Sequence, residues 1–176
     1  MATATQAQTR GITGQKAPGW KIDSWIQLPE GATDLDIDDY RGKVLVLYCF
    51  QSWCPGCHSH GFPTLQKLVQ YFGEDEKIGF VAVQTAFEGL STNTAEKLEP
   101  MAERYALKIP FGHSEVKRDG LSILSRYRTG GTPWFIIIDP TGTVRHNGHH
   151  IDAETAISEI EGLKNTKPDP DAAILR

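Results

Sequence analysis

Cysteine is scarce in this sequence, with three among 176 residues. So small and odd a number excludes a disulfide-stapled scaffold and leaves at least one thiol unpaired within the monomer. Long hydrophobic runs are lacking too. The longest, Val44–Phe50 and Trp134–Ile138, fall far short of the ~20 apolar residues a helix needs to cross a bilayer, so no membrane span is expected. Neither sign of charge dominates. With 18 basic against 22 acidic side chains the net charge is −4, which offers no basic footprint for a phosphate backbone and makes nucleic acid an unexpected partner. The N-terminus, MATATQAQTRGITGQ, carries an arginine but no apolar signal core, so a cytoplasmic location is the expectation. No internal repeat, P-loop or Gly-x-Ser-x-Gly string occurs. Asp34-Leu35-Asp36-Ile37-Asp38 opens like a calcium loop, but Asp39 stands where that loop needs Gly and Leu45 where it needs Glu.

Between two tails the apolar pattern alternates in period. Residues 1–13 and 166–176 are small, polar or proline-containing and read as disordered tails, leaving 14–165 as one domain. Lys43–Phe50 is almost continuously apolar, as expected of a strand buried on both faces of a parallel sheet. Cys57 to Phe72 has helical spacing through Phe62, Leu65, Leu68, Val69 and Phe72. A second strand is expected at Ile78–Val83, and a helix over Thr94–Leu107 that Pro100 interrupts or kinks. A short strand at Ile109–Phe111 and a short helix at Gly120–Tyr127 follow. Trp134–Ile138 and Thr143–His146 form a hairpin around the turn Asp139-Pro140-Thr141-Gly142, and Asp152 caps a last helix to Leu163. The order implies an α/β fold with a mixed sheet and helices on both faces.

Two of the three cysteines share one motif, Cys54-Pro55-Gly56-Cys57, at the handover from a buried strand to a helix. Free N–H groups and the helix dipole favour an anion there, hence a Cys54 thiolate. Pro55 suits the first helical position, because the N–H it lacks has no helical acceptor. Two intervening residues bring the second sulfur within disulfide reach. Cys54 can then attack a disulfide and a more buried Cys57 can resolve the mixed disulfide. Cys49, amid apolar strand residues, reads as a structural thiol. His58 shares a helix face with Cys54 and reads either as a modulator of its pKa or as a solvated histidine.

Arg41-Gly42-Lys43, the apolar strand, Trp53-Cys54-Pro55-Gly56-Cys57 and Gly131-Thr132-Pro133 resemble thioredoxin-fold proteins. The nearest groups are the TlpA/ResA-like thiol-disulfide reductases and the alkyl hydroperoxide reductase/thiol-specific antioxidant (redoxin) proteins. Gln15-Lys16-Ala17-Pro18-Gly19-Trp20 is similar to the N-terminal segment of that group, and the resemblance covers residues 14–163. It implies a thioredoxin-like three-layer α/β/α architecture with a central mixed sheet and a cis-proline loop at Thr132–Pro133. It further implies a thiol-disulfide oxidoreductase in which Cys54 and Cys57 are catalytic and Trp53, Pro55, Gly56, Thr132 and Pro133 shape substrate docking. The expected partners are a protein disulfide and a thioredoxin- or glutathione-type electron donor. No organic cofactor is expected, because the Cys54–Cys57 disulfide carries the two electrons. Two departures stand out. The kinking proline of such helices lies five residues after the second cysteine; Pro63 lies six after Cys57, which calls for a one-residue bulge. Tyr48 holds the place of thioredoxin's buried aspartate, and Glu88 is a candidate replacement or an ordinary surface carboxylate.

Other chemistries fit less of the pattern. A peroxiredoxin-like thiol peroxidase resembles a Pro-x-x-x-Thr/Ser-x-x-Cys pattern, where this sequence has Leu47 and Gln51. Cys54–His58 matches a Cys-x-x-Cys-His haem attachment string without the export signal that chemistry needs. A Cys/His module for copper or zinc would draw on Cys54, Cys57 and a histidine, with His146, His149 and His150 as a second cluster. No metal ligands are assigned on this reading.

Overall fold

The computed structural model describes residues 10–117 and 119–167. Among these, six strands form one sheet: β1 (Ser24–Ile26), β2 (Val44–Phe50), β3 (Ile78–Ala86), β4 (Phe111–Glu115), β5 (Trp134–Ile138) and β6 (Val144–Gly148), in the order β1-β4-β3-β2-β5-β6. All seven residues of β2 are buried, because it lies at the sheet centre, parallel to β3 and antiparallel to β5. β4 continues the parallel part, and β1 and β6 close the edges antiparallel. The mixed sheet is the expected one.

Alternation along β2 divides the core in two. Val44, Val46, Tyr48 and Phe50 face one layer with α1 (Phe62–Phe72), α2 (Leu98–Arg104) and α4 (Ala153–Leu163), through Leu65, Leu68, Leu98, Ala156 and Ile160. Leu45, Leu47 and Cys49 face the other, with Trp20, Ile37 and, from α3 (Ile123–Arg126), Ile123. Cys49 is fully buried, and burial pushes its thiol pKa up. Helices on both faces of a mixed sheet make the three-layer arrangement.

Several expectations need correcting. The sequence puts residues 10–13 in a tail, but Ile12 is buried in the second core and Gly11 N–H donates to the Arg128 carbonyl. A single isoleucine in a polar segment has no periodicity to signal this. Residues 1–9 and 168–176 lie outside the described residues. Pro100 does not break the Thr94–Leu107 helix. A 3₁₀ turn, Ala95–Lys97, passes into α2 at Leu98, and Pro100 falls in the first α-turn, where a missing N–H leaves nothing unpaired. β4 begins where the short strand was expected to end, and it runs on through buried Gly112, His113 and Ser114. β3 likewise extends to Ala86.

Strand register positions the site. Cys49 of β2 lies opposite Trp134 of β5, so the residues just before β5 come beside those just after β2. Thr132–Pro133 thereby meets Gln51–Cys57, and the Thr132–Pro133 peptide is cis.

Candidate active site

Cys54 ends the turn after β2, and the helix that follows starts at Pro55. Cys57–Gly61 form a single π turn, closed by Phe62 N–H donating to the Cys57 carbonyl, before α1 proceeds regularly with Pro63 in its first turn. This is the one-residue insertion that the position of Pro63 demanded. It presses the helix close to the sheet at Gly61. A Cβ there would lie 2.8 Å from Tyr48 Cζ and 2.9 Å from Pro133 Cβ, so only glycine fits without displacement. Pro133 also covers Gly56, whose added Cβ would sit 3.3 Å from Pro133 Cδ.

The two sulfurs occupy unequal environments. Cys57 N–H donates to Cys54 Sγ at 3.3 Å, and the Cys54 thiol donates to the Thr132 carbonyl at 3.4 Å. Cys54 is 6% exposed and Cys57 0%. Burial, aided by the contact with Cys54, pushes the Cys57 thiol up to about 12. Both are free thiols. Cys54 Sγ thus receives a backbone N–H, while burial holds the inner Cys57 sulfur neutral.

Tyr48 fills the space of the missing aspartate. Its hydroxyl donates to the Cys57 carbonyl at 3.3 Å, and its ring packs on Phe62 and Phe135 with centroids 5.1 and 4.8 Å apart. Burial raises its pKa well above the ordinary value, so it serves as a donor and not as a proton acceptor. Glu88 does not supply the missing carboxylate. Its side chain is exposed, and only its backbone joins the site, through the amide N–H to Gln51 Oε1 at 3.2 Å. His58 is half-buried with both ring nitrogens engaged: Nε2 lies 2.6 Å from the Ser52 carbonyl and Nδ1 meets the Tyr105 hydroxyl. The carbonyl can only accept, so Nε2 carries a proton. This ties the Trp53 turn to the end of α2. Trp53 itself is 45% exposed beside the motif, and Pro55 is exposed.

Sequence reading missed a buried polar network behind the site. Gln51 Oε1 accepts from Phe87 N–H, Glu88 N–H and Asn93 Nδ2, while Gln51 Nε2 donates to Thr132 Oγ1 at 3.3 Å. Asn93 Oδ1 accepts from the Ser52 amide at 2.8 Å and its hydroxyl at 2.7 Å. Gln84 accepts from Ser52 N–H and donates to Thr94 O and His113 Nδ1. These groups fix the Ser52 backbone before Cys54 and the Phe87–Glu88 loop beside it. The signal available was a glutamine within or directly after an apolar strand, a costly place for an unpaired amide. Leu47 and Gln51, at the two peroxiredoxin positions, are in the core and in this network respectively. Among the described residues no three His, Cys, Asp or Glu side chains assemble as a metal-holding group. His149 stacks on His150 and lies beside Trp134.

The sheet order, the flanking helices and the cis-proline beside a strand-to-helix cysteine pair define a thioredoxin-like fold of the thiol-disulfide oxidoreductase type. The AhpC/TSA family model matches residues 13–147, and the chain belongs to that family. Among solved structures it is similar to the thioredoxin-like superfamily protein SPOA0173, at 32% identity and a TM-score of 0.77, covering 88% of this chain and 99% of that one. A thiol-disulfide isomerase from Corynebacterium glutamicum is 25% identical with a TM-score of 0.74, covering 88% and 98%. Protein DipZ of Mycobacterium tuberculosis is 25% identical over 171 residues, 93% of this chain but 21% of that protein. The chain thus spans about a fifth of that relative's length.

Proposed function

We propose that this protein exchanges thiols and disulfides through Cys54 and Cys57. The observation that carries the reading is the asymmetry of the two sulfurs: Cys54 takes the Cys57 N–H and borders the Thr132 carbonyl, while Cys57 is wholly buried behind it. The Cys54 thiolate attacks one sulfur of a substrate disulfide, whose other sulfur leaves as a thiolate and takes a proton. Cys57 then loses its proton and attacks Cys54 Sγ, forming the intramolecular disulfide and releasing the second substrate thiol. Trp53, Pro55, Gly56 and the Thr132–Pro133 backbone line the approach. A thioredoxin- or glutathione-type donor would restore the dithiol, and in a cytoplasmic setting the exchange would run as a reductase.

The test is reduction of insulin disulfides by wild type, Cys54→Ser and Cys57→Ser. Turnover is expected to vanish in Cys54→Ser, and Cys57→Ser is expected to accumulate a mixed disulfide detectable by mass. Undiminished turnover in Cys54→Ser would overturn the assignment. A redox titration of the Cys54–Cys57 couple sets the direction of exchange.

A further inference from the structure

A cleft of about 690 Å³ opens on the side of the cis-proline loop away from α1. Its walls carry two arginines, Arg10 and Arg128, and no acidic side chain. The two are brought together by the backbone, since Gly11 N–H donates to the Arg128 carbonyl at 3.0 Å. Arg128 lies at φ 50°, in the left-handed turn that ends α3. Arg10 Nη1 donates to the Gly130 carbonyl at 2.8 Å, and a Cβ on Gly130 would collide with the guanidinium. That bond uses one of five guanidinium N–H groups. Among the described residues neither arginine forms an ion pair with a carboxylate.

Thr129 also lines the cleft. Gly130 and Gly131 line the cleft, and the next residue in the chain, Thr132, presents the carbonyl that lies 3.4 Å from Cys54 Sγ. Phe87 also lines the cleft and is tied through its N–H to Gln51, hence to Thr132. The volume falls within the range of small-molecule sites.

We infer that this cleft binds the carboxylate of a low-molecular-weight anionic disulfide while Cys54 attacks it. The inference rests on the Cys54–Cys57 reading above. The arginines hold the carboxylate by charge-assisted hydrogen bonds, and the disulfide bond lies over Cys54. Attack joins Cys54 Sγ to one substrate sulfur, and the other departs as a thiolate that takes a proton. Cys57 completes the exchange, so two electrons pass from the dithiol to two substrate thiols.

The test uses the full chain in its dithiol form, freed of reductant, and three small disulfides. These are dithiodipropionate with two carboxylates, neutral hydroxyethyl disulfide, and cystamine with two ammonium groups. Each rate of protein oxidation is divided by that disulfide's rate with dithiothreitol, which removes intrinsic reactivity. Wild type is expected to prefer the anionic over the neutral disulfide about tenfold, the effect of one charge-assisted hydrogen bond, and cystamine to be slowest. The preference shrinks as salt is raised. In R10A/R128A the anionic-to-neutral ratio is expected to fall close to one, while R10K/R128K keeps part of it. A wild-type ratio near one, or a ratio that survives in R10A/R128A, would overturn the inference and leave the thiol exchange standing. If none of the three disulfides oxidises the protein, the Cys54–Cys57 reading itself fails.

Discussion

Gly61 is where helix, sheet and cis-proline loop come closest, and replacing it with alanine tests how the site is built. The added Cβ would lie 2.8 Å from Tyr48 Cζ and 2.9 Å from Pro133 Cβ, and closer still to the Tyr48 hydroxyl oxygen. Tyr48 cannot swing aside, because it is fully buried and packed on Phe50, Phe62 and Phe135. Overpacking of this kind costs about 1–3 kcal/mol. Gly61→Ala is therefore expected to lose stability toward the top of that range. Thiol exchange should also slow, since Pro133 and the π turn that carries Cys57 must part. Tyr48→Phe removes the nearest clashing atom and by itself gives up one hydrogen bond, worth about 1 kcal/mol. The pair should then couple, with the double variant more stable than the sum of the singles by about 1 kcal/mol. Urea unfolding of the four proteins under reducing conditions measures all of this. A Gly61→Ala loss within about 0.5 kcal/mol of zero, or strict additivity, would refute the close approach.

Gln51→Leu strands the Phe87 and Glu88 N–H groups and the Asn93 amide. It should cost about 2–4 kcal/mol in urea unfolding and speed hydrogen exchange at those two backbone amides; unchanged exchange there would show that the network does not hold the loop. The unequal sulfurs predict an order of alkylation. With its pKa pushed up to about 12, Cys57 is almost wholly protonated at neutral pH, so iodoacetamide should label Cys54 first, with Cys57 labelling rising about tenfold per pH unit. Peptide mapping by mass spectrometry reads the order, and initial labelling of Cys57 would reverse the assigned roles.

Much of the frame was legible because it is written in local periodicity. Val44–Phe50 and Trp134–Ile138 announce buried strands, and Asp152 announces a helix cap that does accept from Thr155 N–H at 2.9 Å; the irregular turn before Pro63 was implied by the family resemblance instead. The three-residue edge strand β1 and the packed residues 10–13 were not legible. Each is too short for a period to show, and each is held in place by distant partners such as β4 and Arg128. His58 illustrates a different limit. Helical spacing placed it on the face of Cys54, yet Ser52 and Tyr105 claim both ring nitrogens.

By itself the sequence determined the strand-to-helix junction that holds Cys54 and Cys57 and the mixed α/β order, while its resemblance to thioredoxin-fold proteins implied the insertion ahead of Pro63 and the three-layer architecture. Hydrophobic period and the conformational limits of proline act over a few residues, so they can be read along the chain. Only the tertiary structure decided what surrounds the sulfurs. It turned the Tyr48 hydroxyl onto the Cys57 carbonyl, left Glu88 in solvent, and joined Gln51 to Asn93 and Thr132 across the loops. It also brought Arg10 beside Arg128. Buried polar groups take whichever partners the packing delivers, and residues 42 apart in sequence share no local pattern from which that pairing could be foreseen.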